Sequence, residues 1–103
     1  MIIAADNGHA ASVLALLRAG AEVNRVGEEG RTSLYSGAAA NHAAVVELLL
    51  EADADANKAD GHGSSPLMVA AQKGHDAVVE MLLRAGSMVD QTKGETFTLE
   101  NIP

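Results

Sequence analysis

The sequence predicts an all-α chain built from repeated helix–turn–helix units, and three observations carry that reading. His9, His42 and His75 recur at a constant step of 33 residues, and self-similarity at such a step marks a repeat architecture. The columns around them keep the same register: Val13, Val46 and Val79, then Leu16-Leu17, Leu49-Leu50 and Leu82-Leu83, then Ala19, Ala52 and Ala85, and last Asn24, Asn57 and Asp90. Aromatic rings are almost absent, with Tyr35 and Phe97 alone, while Ala, Val and Leu abound. That composition suits thin, closely packed helical layers.

The 33-residue step divides one domain into a shortened first unit (1–27), two full units (28–60 and 61–93) and a C-terminal stub or cap (94–103). Local physics is clearest in the third unit. Ser65 is a good N-cap and Pro66 a good first helical residue, because proline's missing N–H is not needed there. A helix is therefore expected from 66 through Leu67, Met68, Val69, Ala70 and Ala71, ended by Gly74 in the left-handed conformation. A second helix should follow, with Val78, Val79, Leu82 and Leu83 on one apolar face, Asp76 near its positive end and Arg84 near its negative end. Gly86 terminates it. The small pairs Ala4-Ala5, Gly37-Ala38 and Ala70-Ala71 should let neighbouring units approach closely, with the second-helix leucines and valines filling the space between layers.

These motifs resemble the ankyrin repeat. The opening is matched by Thr32-Ser33-Leu34-Tyr35 and Ser65-Pro66-Leu67-Met68, the second helix by Val45-Val46 and Val78-Val79, and the exit by Gly20-Ala21-Glu22-Val23-Asn24. The resemblance covers about residues 1 to 93 and implies a solenoid of stacked antiparallel helix pairs. It also implies a β-hairpin-like loop at each junction and an L-shaped concave surface. Departures carry their own expectations. Met1 stands where the opening Leu belongs, so the first unit lacks its hairpin and the start of its first helix. The family's opening His is replaced by Tyr35 and Met68, so the loop network built around that His is not expected in its usual form. Asp53 replaces a C-cap glycine, a strained position costing about 1 kcal/mol, and Ala56 replaces the usual Val, leaving an underfilled spot. The stub 94–103 begins a further unit out of step and either caps the last helix or frays.

Seven basic against 14 acidic residues give a net charge of −7. That argues against sequence-independent binding to nucleic acid or anionic lipid and favours a protein partner with a basic surface. There is no Cys, so no disulfide framework or thiolate chemistry is available, in keeping with a reducing compartment. The apolar start Met1-Ile2-Ile3-Ala4-Ala5 is broken by Asp6 and Asn7 and reads as neither signal peptide nor membrane span. The expectation is a soluble intracellular protein, cytoplasmic or nuclear.

No catalytic residue, cofactor or metal site is expected. One His per unit, about 10 Å apart at ordinary helix packing distances, cannot converge on one zinc ion, so a structural turn role is the better reading. His62 stands outside that period on a loop tip, as a surface contact. Asp53-x-Asp55-x-Asn57 opens like a calcium loop but then places Lys58 where Gly is needed and Ser64 where a bidentate Glu is needed. Gly61-His62-Gly63 lacks the strand and Lys of a phosphate loop. Ser12, Ser33, Ser36, Ser64 and Ser65 have no evident His–carboxylate pairing and read as caps and turns. Glu28 and Glu29 are adjacent on a loop where water keeps both ionised, which does not suit general-acid work.

The resemblance places partner contacts at hairpin tips and on the exposed side of the first helices. By position this picks out Glu28, Glu29 and Arg31 on one tip and Gly61, His62 and Ser64 on the next. On the first helices it picks out Asp6, Asn7, Ala39, Ala40, Gln72 and Lys73. The plain alternative is that these are simply solvated residues. Arg31 is the foremost single candidate, with Tyr35 next if exposed, because hot spots are few and usually aromatic or Arg. The expected function is a protein-binding adaptor or regulatory scaffold. The alternative is a minimal piece of a longer array whose only task is stacking, and an enzymatic role ranks last. A monomer is expected, with self-association through open repeat ends as the alternative.

Overall fold

Three-residue turns decide the architecture. In the computed structural model, which describes residues 1–86, residues 7–9, 40–42 and 73–75 each link two short helices, α1 (Ile2–Asp6) to α2 (Ala10–Arg18), α3 (Ser33–Ala39) to α4 (Ala43–Glu51), and α5 (Pro66–Gln72) to α6 (Asp76–Arg84). Links this short return the second helix alongside the first. The expectations for Asp90 and for the stub 94–103 lie outside the described residues.

The first helices form one layer, α1 against α3 and α3 against α5, and the second helices the other, α2 against α4 and α4 against α6. Between the layers lies a core of small and branched side chains that includes Ala5, Val13, Leu34, Ala38, Val45, Val46, Leu49, Ala70, Val78 and Leu82. No residue in the core is larger than Tyr35, which is why the layers sit so close. Ala70 is buried as expected, but Ala71 is exposed, because no described unit stacks beyond it.

Helix starts follow the sequence. Thr32 Oγ1 accepts the Tyr35 N–H at 3.1 Å, and Ser65 Oγ accepts the Met68 N–H at 3.1 Å with Pro66 in the first turn. Helix α1 has no side-chain cap at Met1 and is two residues shorter than α3 and α5, 5 against 7. The assignment of all five serines to caps and turns needs correction. Ser65 caps and Ser64 belongs to a turn, but Ser12, Ser33 and Ser36 lie inside helices, and Ser33 and Ser36 are buried.

The periodic histidines do more than occupy turns. Each precedes a second helix, and His42 Nε2 donates across the unit boundary to the Asp6 carbonyl at 3.0 Å. His75 Nε2 donates to the Ala39 carbonyl at 3.1 Å. A carbonyl can only accept, so both imidazoles present an Nε2–H. These bonds tie the end of one unit's first helix, where carbonyls lack helical partners, to the next unit. Gly8 makes room for the first: its φ is +73°, and a Cβ there would lie 2.6 Å from the His42 ring. A third cross-unit bond runs from the Asp55 N–H to Asn24 Oδ1 at 2.7 Å.

Asp53 adopts φ +65° where Gly20 and Gly86, its counterparts, have +90° and +88°. A side chain in this region costs about 1 kcal/mol or more. Asp53→Gly should therefore raise the melting temperature by a few degrees, read by circular dichroism; a lower value would show that the Asp53 side chain holds something in place.

Candidate interaction groove and hairpin tips

Two loop tips project from the unit junctions. The first is closed by Gly27 N–H donating to the Arg31 carbonyl at 2.9 Å, and the second by Asp60 N–H donating to Ser64 at 2.8 Å, the same positions one unit later. No strand is assigned among the described residues, yet each tip has the closing bond of a hairpin. Adjacent tips are joined by Gly61 N–H donating to the Glu29 carbonyl at 2.7 Å. Gly30 and Gly61 permit that approach. A Cβ on Gly30 would stand 2.6 Å from Gly61 N, and one on Gly61 would stand 3.0 Å from the Glu29 oxygen.

A small polar network holds the second tip. One Asp60 oxygen accepts the His62 and Ser64 N–H groups, each at 2.9 Å, and the Tyr35 phenol is close enough to the same carboxylate for the two groups to affect each other's ionisation. Tyr35 thus links the two tips through its side chain from the position where the family carries its opening His. It is only 5 % exposed, which corrects its candidacy as an exposed contact. Met68, one unit on, is 42 % exposed and is apolar.

These contacts perturb both groups. The Ser64 backbone bond, the largest effect, holds the Asp60 carboxyl below its ordinary value of 3.8; burial comes next and opposes it, and the His62 backbone N–H and the Tyr35 phenol add to the lowering. Burial, followed by the Asp60 charge, raises the Tyr35 phenol above 10.0. A depressed acid stabilises the fold above its unfolded pKa and loses that contribution as pH falls through the folded one. A raised phenol stabilises below pH 10.0 and loses its contribution as pH climbs above it. Melting temperature against pH should therefore fall below about pH 4 and above about pH 10. Tyr35→Phe should remove the alkaline fall, because it removes the group that titrates there. An unchanged alkaline limb in that variant would break the assignment.

Arg31 is held in place without being buried. Its guanidinium lies 5.2 Å from the Tyr35 ring centroid, Nη2 is 3.2 Å from Glu29 Oε2, and its side chain remains 47 % exposed. An exposed ion pair is worth about 0–1 kcal/mol and a surface cation–π contact about 0.5–1 kcal/mol. They orient Arg31 more than they stabilise the fold.

Between this tip and the first helices runs a groove of about 610 Å³. Asp6, Glu28, Glu29 and Arg31, all sequence candidates, line it together with Arg25, Ser33, Ser36 and an apolar floor of Met1, Ile2 and Ile3. The structure does not bring the other candidates here. His62 is exposed on the second tip, with Ser64 half-buried beside it and Gly61 exposed. Asn7, Gln72 and Lys73 are exposed at first-helix ends, and Ala39 and Ala40 are half-buried. Sequence reasoning missed Arg25 and Asp60. The Asp-Gly step at 60–61, followed by Ser64, is an Asx-turn signal that pointed to Asp60; nothing local pointed to Arg25.

Charge is uneven along the stack. Residues 28–60 hold seven acids (Glu28, Glu29, Glu47, Glu51, Asp53, Asp55 and Asp60) against Arg31 and Lys58. Residues 1–27 and 61–86 each balance two acids with two bases. The excess acid of the described chain is therefore concentrated in the middle unit. Among the described residues no group of three His, Asp or Glu side chains could hold a metal ion, and no helix is long and apolar enough to cross a membrane.

Comparison with known proteins agrees with this geometry. The family model for ankyrin repeats, in three copies, matches residues 1–93. The chain belongs to the ankyrin repeat family. Among solved structures it is similar to the human ASB11 ankyrin repeat domain, with 32 % identity and a TM-score of 0.79 over 84 % of this chain. It spans 39 % of that domain. No curated protein matches. Ankyrin repeats are in general protein-interaction modules.

Proposed function

We propose that this chain is an adaptor or regulatory scaffold that binds a protein partner with a basic surface, through the 28–31 tip and the groove beside it. The acid-rich middle unit carries the reading, because it sets Glu28 and Glu29 beside a pre-oriented Arg31 and an accessible apolar floor. An apolar contact ringed by charges is the usual anatomy of a binding patch. The role involves no catalytic step, and an intracellular setting suits a chain without cysteine.

Capture from cell extract, followed by affinity measurement with the protein obtained, tests it. Arg31→Ala and Glu29→Lys should each weaken binding about tenfold or more while moving the melting temperature by no more than a few degrees, since both contacts at Arg31 are weak. Equal affinity in both variants would remove this face and favour a chain whose only task is stacking.

A further inference from the structure

One step of the chain combines a reactive residue pair with a place where two units rest on each other. Of the five asparagines, Asn7 alone precedes a glycine; Asn24, Asn41, Asn57 and Asn101 precede Arg25, His42, Lys58 and Ile102. Glycine leaves its amide nitrogen open to close approach because it has no side chain. Asn7 ends α1 with φ −94° and ψ 2°, is exposed, and its carboxamide makes no hydrogen bond among the described residues. Asn24, by contrast, is held by the Asp55 N–H at 2.7 Å. The Gly8 N–H is loosely engaged, 3.2 Å from the Ala5 carbonyl, at the end of a helix of 5 residues with no side-chain cap. The openness belongs to the turn and not to its place in the stack. In the middle unit, with units packed on both sides, Ala40 is only half-buried and Asn41 is exposed.

We propose that Asn7 is a site of spontaneous deamidation whose isoaspartate product loosens the first unit from the second. The Gly8 nitrogen attacks Asn7 Cγ, the new C–N bond closes a succinimide ring, and the carboxamide nitrogen leaves as ammonia with the Gly8 proton relayed by water. Water then opens the imide at either carbonyl, giving aspartate or isoaspartate. Ring closure requires rotation about the Asn7 ψ, so the turn must open first, and a short helix end is where opening is easiest. In isoaspartate the chain runs through the former side chain, which inserts one carbon between the residue 7 Cα and Gly8. His42 spans that step. Its Nε2 bonds the Asp6 carbonyl at 3.0 Å, before the insertion, while its ring lies over Gly8, beyond it, with Nδ1 2.6 Å from the Cβ position there. A lengthened link cannot keep both contacts. Asp60-Gly61, the chain's one aspartyl-glycine step, is protected from the same chemistry. Its glycine nitrogen is tied to the Glu29 carbonyl at 2.7 Å and its carboxylate holds two N–H groups.

Incubation of the full chain near neutral pH, with peptide mapping by mass spectrometry and labelling by an isoaspartate methyltransferase, tests the chemistry. Isoaspartate should appear at residue 7 at least about tenfold faster than at Asn24, Asn41, Asn57 or Asp60, since none of those pairs a mobile carboxamide with an open glycine nitrogen. Asn7→Gln should abolish the signal. The isoaspartate form, separated by its added charge, should melt several degrees below both the fresh chain and Asn7→Asp, which carries the same charge on an unaltered backbone. In His42→Ala that difference should largely vanish, because the ring that spans the step is gone. Enzymatic repair to aspartate should restore the melting temperature of Asn7→Asp. No excess of isoaspartate at residue 7, an isoaspartate form that melts with Asn7→Asp, or the same loss persisting in His42→Ala would each overturn the proposal.

Discussion

Leu49→Ala should lower stability by about 2–5 kcal/mol, the largest single loss expected in this chain. Leu49 is fully buried on α4, which packs against α2 on one side and α6 on the other. Truncation leaves a cavity at the centre of the second-helix layer as well as removing transfer free energy. At about 4–8 °C per kcal/mol for a domain near 100 residues, the melting temperature should fall by about 8 °C or more. Leu16→Ala supplies the control. It changes the same column of the repeat, but at a side chain 38 % exposed, and should cost about 1 kcal/mol or less in the isolated chain. Equal losses at the two positions would mean that the layers do not stack as described.

Gly30→Ala ranks second, at about 2–3 kcal/mol. Its φ of +74° already penalises a side chain. The added Cβ would also stand 2.6 Å from Gly61 N, and backbone cannot swing aside as a flexible side chain can. The Gly61–Glu29 bond at 2.7 Å must stretch or break, at about 1 kcal/mol more. Gly63 is its counterpart one unit later, with φ +83° and nothing among the described residues within 4 Å of its Cβ position. Gly63→Ala should therefore cost only the left-handed penalty, about 1 kcal/mol. The difference, read from denaturant melts of the two variants, measures the contact between the tips.

Much of the fold was legible because its signals are local. Ser65-Pro66 marks a helix start by cap chemistry, and Gly74 and Gly86 mark ends by their freedom at positive φ. The constant histidine step set the register before any contact was known. What the sequence did not reveal depends on which surfaces meet across units. Nothing near His42 in the chain says that its ring reaches the Asp6 carbonyl, because that bond spans 36 residues. The same holds for Tyr35. Read alone it resembles an exposed aromatic contact, while in place it is a buried strut between Arg31 and Asp60.

The candidate site divided along the same line. Glu28, Glu29 and Arg31 were visible as a charged tip, and Asp6 as an exposed first-helix residue, but their convergence on one groove required α1 to lie beside the 28–31 loop. His62, Gln72 and Lys73 share the positional logic and not the place. A binding surface on a repeat protein is assembled from several units, so single-unit reasoning finds its members better than its outline.

Chemical-shift mapping of the ¹⁵N-labelled chain with its captured partner addresses the central claim most directly. If the 28–31 tip and its groove take the partner, the largest perturbations fall on Asp6, Arg25, Glu28, Glu29, Arg31 and Ser36. Perturbations centred instead on the outer faces of α2, α4 and α6, with these six unmoved, would contradict it.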